Sequence, residues 1–181
     1  MAIKSTIFKA ELQITDMDRH YYADHQLTIA RHPSENDERM MVRLLAFALN
    51  ASESLQFTKG LSTDDEPDLW QKSLSDEIEL WIDLGQPDEK RIRKACGRSR
   101  RVIICIYQHG SGKQWWEQNR SKLVRFENLS IVSFADEAVA ELGQMAERSM
   151  RLQCTIQDDH LWFTDGDQSV EMVPEIWKRG R

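Results

Sequence analysis

The sequence predicts an α/β fold: a mixed sheet flanked by helices, with antiparallel strands added at the N- and C-terminal ends. Three observations carry this expectation. Residues 78–134 read strand, helix, strand, helix, strand, and helical crossovers of that kind join parallel strands. Val102 to Ile106 form an unbroken apolar run, which suits a strand buried on both faces. Both ends of the chain alternate polar and apolar residues with the period of half-buried strands.

Composition bounds the problem. A chain of 181 residues, 40% hydrophobic and 30% charged, is expected to be one soluble globular domain spanning residues 1–181. No apolar run reaches the roughly 18 residues of a membrane span, and the N-terminus has no apolar stretch of signal-peptide length. Cys96, Cys105 and Cys154 are widely spaced with no Cys-x-x-Cys, a pattern that suits buried thiols in a reducing cytoplasm. A net charge of −6 argues against indiscriminate binding to polyanions but leaves room for a local basic surface. A monomer is the default expectation.

Taken in order, residues 5–31 form a hairpin turning at Asp16 to Arg19, with Ile7, Leu12, Ile14, Leu27 and Ile29 as its apolar positions. His20, His25 and His32 match no zinc spacing. A helix follows with Ser34 as its N-cap, Glu35, Asp37 and Glu38 in its first turn, and a stripe of Met41, Leu44, Leu45, Ala48 and Leu49. Leu55 to Thr58 alternate as a strand. A short strand over 68–72 and a strongly patterned one over 78–84 come next. A helix then runs from Pro87 to about Cys96 and stops at Gly97. A strand over 101–107, a helix carrying Trp115 and Trp116, a strand over 129–134, and a helix capped by Asp136 follow. The tail from Leu152 to Val173 is a meander turning at Asp158-Asp159 and Asp165-Gly166.

The stretch from Thr63 to Lys94 is the candidate site. A turn centred on Ser75-Asp76 makes opposed residues sum to 151, pairing Lys72 with Glu79, Trp70 with Trp81 and Asp68 with Asp83 on one face. The first two pairs are favourable and the third is not, since like charges directly opposed destabilise a sheet. A bound cation, a basic side chain or protonation of one carboxylate must compensate. A hard divalent ion, Mg²⁺ or Mn²⁺, held by Asp68 and Asp83 is one solution. Such an ion activates water against a phosphodiester.

Pro67-Asp68 on one strand and Ile82-Asp83-Leu84 on the next resemble the signature of the PD-(D/E)XK nuclease superfamily. The resemblance implies that Asp68 and Asp83 are its two acids and Glu38 its helix acid. The lysine two residues after the second acid falls on Gly85. Lys90, a turn into the next helix, is then the candidate to replace it, and Gln86 the candidate to orient water or substrate. A wider resemblance rests on Ala30 to Glu35, Leu55 to Leu61, Asp64 to Trp70, Trp81 to Arg91 and Leu152 to Asp158. Those strings, in that order, resemble the bacterial YaeQ family. The resemblance implies a restriction-endonuclease-like fold and supplies no activity, because the family has no established biochemical function.

From Lys90 to Arg101 the chain is basic and carries no acid. Arg91, Lys94 and Arg98 are the candidate phosphate contacts beside the carboxylates. Gly110-Ser-Gly-Lys113 is not a phosphate loop, because Tyr107 and Gln114 stand where Gly and Ser or Thr are required. Three readings therefore stand open: a Mg-dependent nuclease, a degenerate nuclease fold that binds nucleic acid or protein without cutting, or a purely structural acid pair satisfied by an internal lysine or arginine.

Overall fold

A computed structural model describes residues 4–59 and 65–181. Gly60, Leu61, Thr63 and Asp64 of the strings above lie outside the described residues, as do Met1 to Ile3. The chain divides into two compact units, residues 1–49 with 137–174 and residues 50–136 with 175–181.

The first unit holds β1 (Thr6–Asp16), β2 (Tyr21–Arg31), β8 (Ser149–Gln157), β9 (His160–Thr164) and β10 (Ser169–Met172) in one sheet of order β10-β9-β8-β1-β2. Apart from the last strand, at Glu175–Lys178, the terminal strands are thus not added to the edges of the central sheet. They form a sheet of their own, joined by a parallel β1–β8 pair. Strict alternation explains its one-sided core: Ala10, Leu12 and Ile14 are buried while Lys9, Glu11 and Gln13 face water.

Helix α1 (Asp37–Asn50) starts later than expected. Asn36, not Ser34, is its cap, accepting from Arg39 N–H at 2.8 Å. The Ser34 hydroxyl instead lies 2.7 Å from His32 Nδ1. Glu35 therefore precedes the helix. It is buried, and its carboxylate takes Arg43 Nη2 at 2.5 Å and Arg39 Nη1 at 2.7 Å. Every residue from Met40 to Ala48 is buried, so the helix is covered all round rather than along one stripe.

The second unit is a six-stranded sheet of order β11-β7-β6-β5-β4-β3. It comprises β3 (Leu55–Phe57), β4 (Leu69–Lys72), β5 (Ile78–Leu84), β6 (Ser99–Ile106), β7 (Leu129–Ser133) and β11 (Glu175–Lys178). β5, β6 and β7 are parallel, as the strand–helix alternation requires. Helices α2 (Glu89–Arg98) and α3 (His109–Leu123) are the crossovers, and α4 (Asp136–Gln144) leads back to the first unit. Asp88 caps α2 by accepting Arg91 N–H at 2.8 Å. Gly97 lies inside the last turn of α2 rather than ending it. The core beneath the helices packs Trp81, Val102 and Ile104 against Ile92, Trp115 and Trp116. The two α3 tryptophans thus serve packing, and Trp115 Nε1 also donates to Pro87 O at 3.0 Å. The final strand, β11, has no clear alternation in sequence; it pairs antiparallel with β7 across a register shift.

Candidate acid centre

β4 and β5 pair as Leu69 with Ile82, Trp70 with Trp81 and Gln71 with Leu80, the register whose numbers sum to 151. The ion pair expected between Lys72 and Glu79 does not form. A register shift after Gln71 sets Lys72 opposite Ile78. Lys72 Nζ instead lies 4.0 Å from the centre of the Trp70 ring and 3.4 Å from Asp76. Trp70 and Trp81 meet edge to face at 6.5 Å.

At the other end of the pair, Asp68 N donates to Ile82 O at 3.0 Å, and Asp68 Oδ2 accepts Leu84 N–H at 2.8 Å. Its neighbour Asp83 accepts Trp81 Nε1 on Oδ2 at 3.0 Å. It also accepts a fork from Arg91, Nε to Oδ2 at 2.8 Å and Nη2 to Oδ1 at 3.1 Å. Both acids are buried, at 5% and 4% exposure. Beneath them on β6, Cys105 is held protonated, its pKa pushed up to about 12 by burial first and then by the charges of Asp68 and Asp83. The Leu84 N–H on Asp68 Oδ2 sets the Asp68 carboxylate beside the backbone of the residue after Asp83.

The ladder begins at Leu69–Ile82 and Asp68 N bonds Ile82 O, so Asp68 is not paired directly with Asp83, and it is Asp83 that takes a basic side chain. Arg91 sits in the first turns of α2, and its guanidinium both forks the Asp83 carboxylate and lies 5.7 Å from the centre of the Trp81 ring. Its Nη2 also donates to Glu66 O at 3.0 Å, tying the segment before β4 to the helix. Lys94 and Arg98, on the same helix, turn the same way. Lys94 Nζ bonds Asp65 at 3.0 Å, which lowers the Asp65 pKa. Arg98 donates to Asp65 O at 3.2 Å and stands 5.4 Å from the Trp81 ring centre.

Lys90 is exposed on α2, one residue and so about 100° of helix from Arg91. Gln86 Nε2 donates to Ser111 Oγ at 2.8 Å. Glu38 lies in the first turn of α1 in the first unit, its stem so close to Gly143 that a Cβ there would meet Glu38 Cγ at 2.7 Å. Gly85 has φ +103°, where a side chain is strained although the space is open, the nearest atom to a Cβ being Tyr107 Cε1 at 3.8 Å. Its N–H donates to Cys105 O at 2.9 Å. The backbone thus turns off the strand at the position where the motif lysine would stand.

The donor set does not fit a hard divalent ion in this arrangement. Such ions take about six oxygens, whereas both Asp83 oxygens already accept from Arg91 and Asp68 Oδ2 from the backbone. Among the described residues no group of three His, Cys, Asp or Glu side chains could hold a metal. The sequence allows an internal lysine or arginine to satisfy the acids, and the residue that does so at Asp83 is Arg91, expected above to be a phosphate contact. The signal was there: an opposed acid pair demands a counter-charge, and the next helix begins with one.

The family model described as YaeQ protein matches residues 1–174. The chain is 46% identical to the uncharacterized protein YaeQ of Escherichia coli K12 and 45% identical to that of Salmonella typhi, covering 99% of both chains in each case. The crystal structure of YaeQ from Xanthomonas axonopodis pv. citri superposes with a TM-score of 0.94 at 47% identity, over 96% of this chain and 98% of that one. For YaeQ from Pseudomonas syringae the values are 0.92 and 36%, over 97% of each.

Proposed function

The chain belongs to the YaeQ family, and on that premise we propose that it is a nuclease-like domain that binds nucleic acid without cutting it. The Arg91 fork on buried Asp83 carries this reading. A carboxylate forked by a partly buried guanidinium is not open to a metal-bound water, and position 85 is a glycine rather than a lysine. The outer face of α2 carries basic side chains. Lys90 and Arg93 are exposed and share the outer face of α2, and Arg100 and Arg101 follow it. Arg93 and Arg100 approach Glu89 and Glu77 only at 3.7 and 3.9 Å, while more than half exposed. Such pairs contribute little and yield readily to phosphates.

The catalytic alternative, a Mg-dependent nuclease of the PD-(D/E)XK type, draws on the burial of both Asp68 and Asp83 at the β4–β5 end where Asp68 Oδ2 accepts the Leu84 N–H. It requires Arg91 to leave Asp83 before an ion could be held there. Fluorescence anisotropy separates the two readings, using labelled single- and double-stranded DNA and RNA with Mg²⁺ present. Expected are intact oligonucleotides, and binding that weakens at least tenfold between about 50 and 200 mM salt. Lys90→Glu with Arg93→Glu should abolish that binding. Cleavage lost in Asp68→Asn would establish the nuclease instead, and no binding at low salt would refute both.

A further inference from the structure

We infer that the outer edge of β2 is a pairing surface for a second copy of this chain, extending the five-stranded sheet across a two-fold axis. β2 ends its sheet, and its eleven residues pair with β1 one to one with no bulge. It carries no proline, lysine or inward-pointing acid, the devices that normally blunt an exposed edge.

The direction of its peptide groups follows from β1. Lys9 N donates to Arg148 O and Met17 N to Ile156 O, so odd-numbered residues of β1 face β8 and even-numbered ones face β2. The pairs Ala10 with Leu27, Leu12 with His25 and Ile14 with Ala23 then turn odd-numbered peptide groups of β2 inward. Those of Tyr22, Asp24, Gln26, Thr28 and Ala30 turn to the open edge. Arg43 Nη2 reaches Ala30 O from that side at 3.0 Å, which agrees with the assignment and closes the edge at Ala30. The buried layer also thins here. Ala10, Leu12 and Ile14 are 1–2% exposed, whereas their partners Leu27, His25 and Ala23 are only half-buried.

These constraints select a register. Antiparallel pairing of two copies about His25 sets Tyr22 against Thr28 of the second copy and Asp24 against its Gln26. It uses the four open residues and spares Ala30. Ala23 then covers Leu27 of the other copy, and no like charges are directly opposed. The two Asp24 carboxylates fall diagonally, roughly 7–8 Å apart, on the solvent face. A two-fold pair of this kind is the commonest closed assembly, and main-chain bonds with alternate side-chain contacts are how sheet edges add strands.

Sedimentation equilibrium over a hundredfold concentration range tests the proposal on the whole chain. The mass should rise from 21.2 kDa toward twice that value. Gln26→Pro removes an edge-facing N–H without touching the bonds to β1, and should raise the dissociation constant at least tenfold. Asp24→Asn should lower it roughly threefold by removing the diagonal repulsion. Hydrogen exchange on the unsubstituted chain adds a readout that does not depend on a variant folding. Amides of Tyr22, Asp24, Gln26 and Thr28 should gain protection as concentration rises, while those of Ala23, His25 and Leu27 should not change. A constant monomer mass would overturn the proposal, as would a dimer whose formation leaves the even-numbered amides unprotected.

Discussion

Arg91 grips Asp83 through two nitrogens, and the carboxylate it grips is the one that a resemblance to nucleases would assign to a metal. One guanidinium thus does what the sheet needs, since it offsets the charge of an acid set beside Asp68. The Trp81 indole bonds the same carboxylate and stacks near the same cation. The three side chains form one locked unit at the junction of β5 and α2.

Breaking that unit at the cation leaves Asp83 buried without its counter-charge. Arg91→Ala is therefore expected to destabilise the fold by about 3 kcal/mol, as for other half-broken buried pairs, read as a fall in the urea midpoint at unchanged slope. Adding Asp83→Asn to Arg91→Ala should recover part of the loss. A strictly additive double variant would show that the two residues do not act together.

A lysine introduced at position 85 is not expected to create a nuclease. Gly85 has φ +103°, and a lysine there strains the backbone by about 1–3 kcal/mol. Gly85→Lys should lower stability by that amount and confer no Mg-dependent cleavage of DNA or RNA. Nuclease activity in this variant would mean that the turn after β5 relaxes into a strand.

How much of this was legible in sequence depends on how local the cause was. The β4–β5 register could be derived because side-chain complementarity at Trp70 and Trp81 is local, and the parallel order of β5, β6 and β7 because the crossover helices enforce it. The split of the strands into two sheets was not legible. The β1–β8 pair joins residues some 140 positions apart, and no local pattern specifies such a partner. Arg91 was read as a surface cation because helix periodicity alone does not say whether an arginine at a helix margin reaches outward or back to the preceding strand.

The start of α1 is a case where two plausible caps compete and only one has the geometry. Asn36 accepts the Arg39 amide, while Ser34 is held by His32. Asn36→Ala should cost about 1 kcal/mol, the usual value of such a cap, and Ser34→Ala should stay within about 0.5 kcal/mol. Equal losses in urea unfolding would place the cap at neither residue alone.

Buried thiols give the fold an alkaline limit. Burial pushes Cys105 and Cys154 up to about 12 from an ordinary 9.0, and for Cys105 the nearby charges of Asp68 and Asp83 add to the effect. A group whose pKa is raised on folding contributes stability that is intact below its unfolded value and lost as pH rises through the folded one. Stability should therefore hold to about pH 9 and fall between pH 9 and 12. Both thiols should resist thiol-specific reagents at pH 8 until the chain unfolds. Replacing Cys105 and Cys154 with Ala should flatten the alkaline fall measured by urea unfolding, whatever it costs at neutral pH. An unchanged slope of stability against pH would mean that tyrosines or lysines, not these thiols, set the limit.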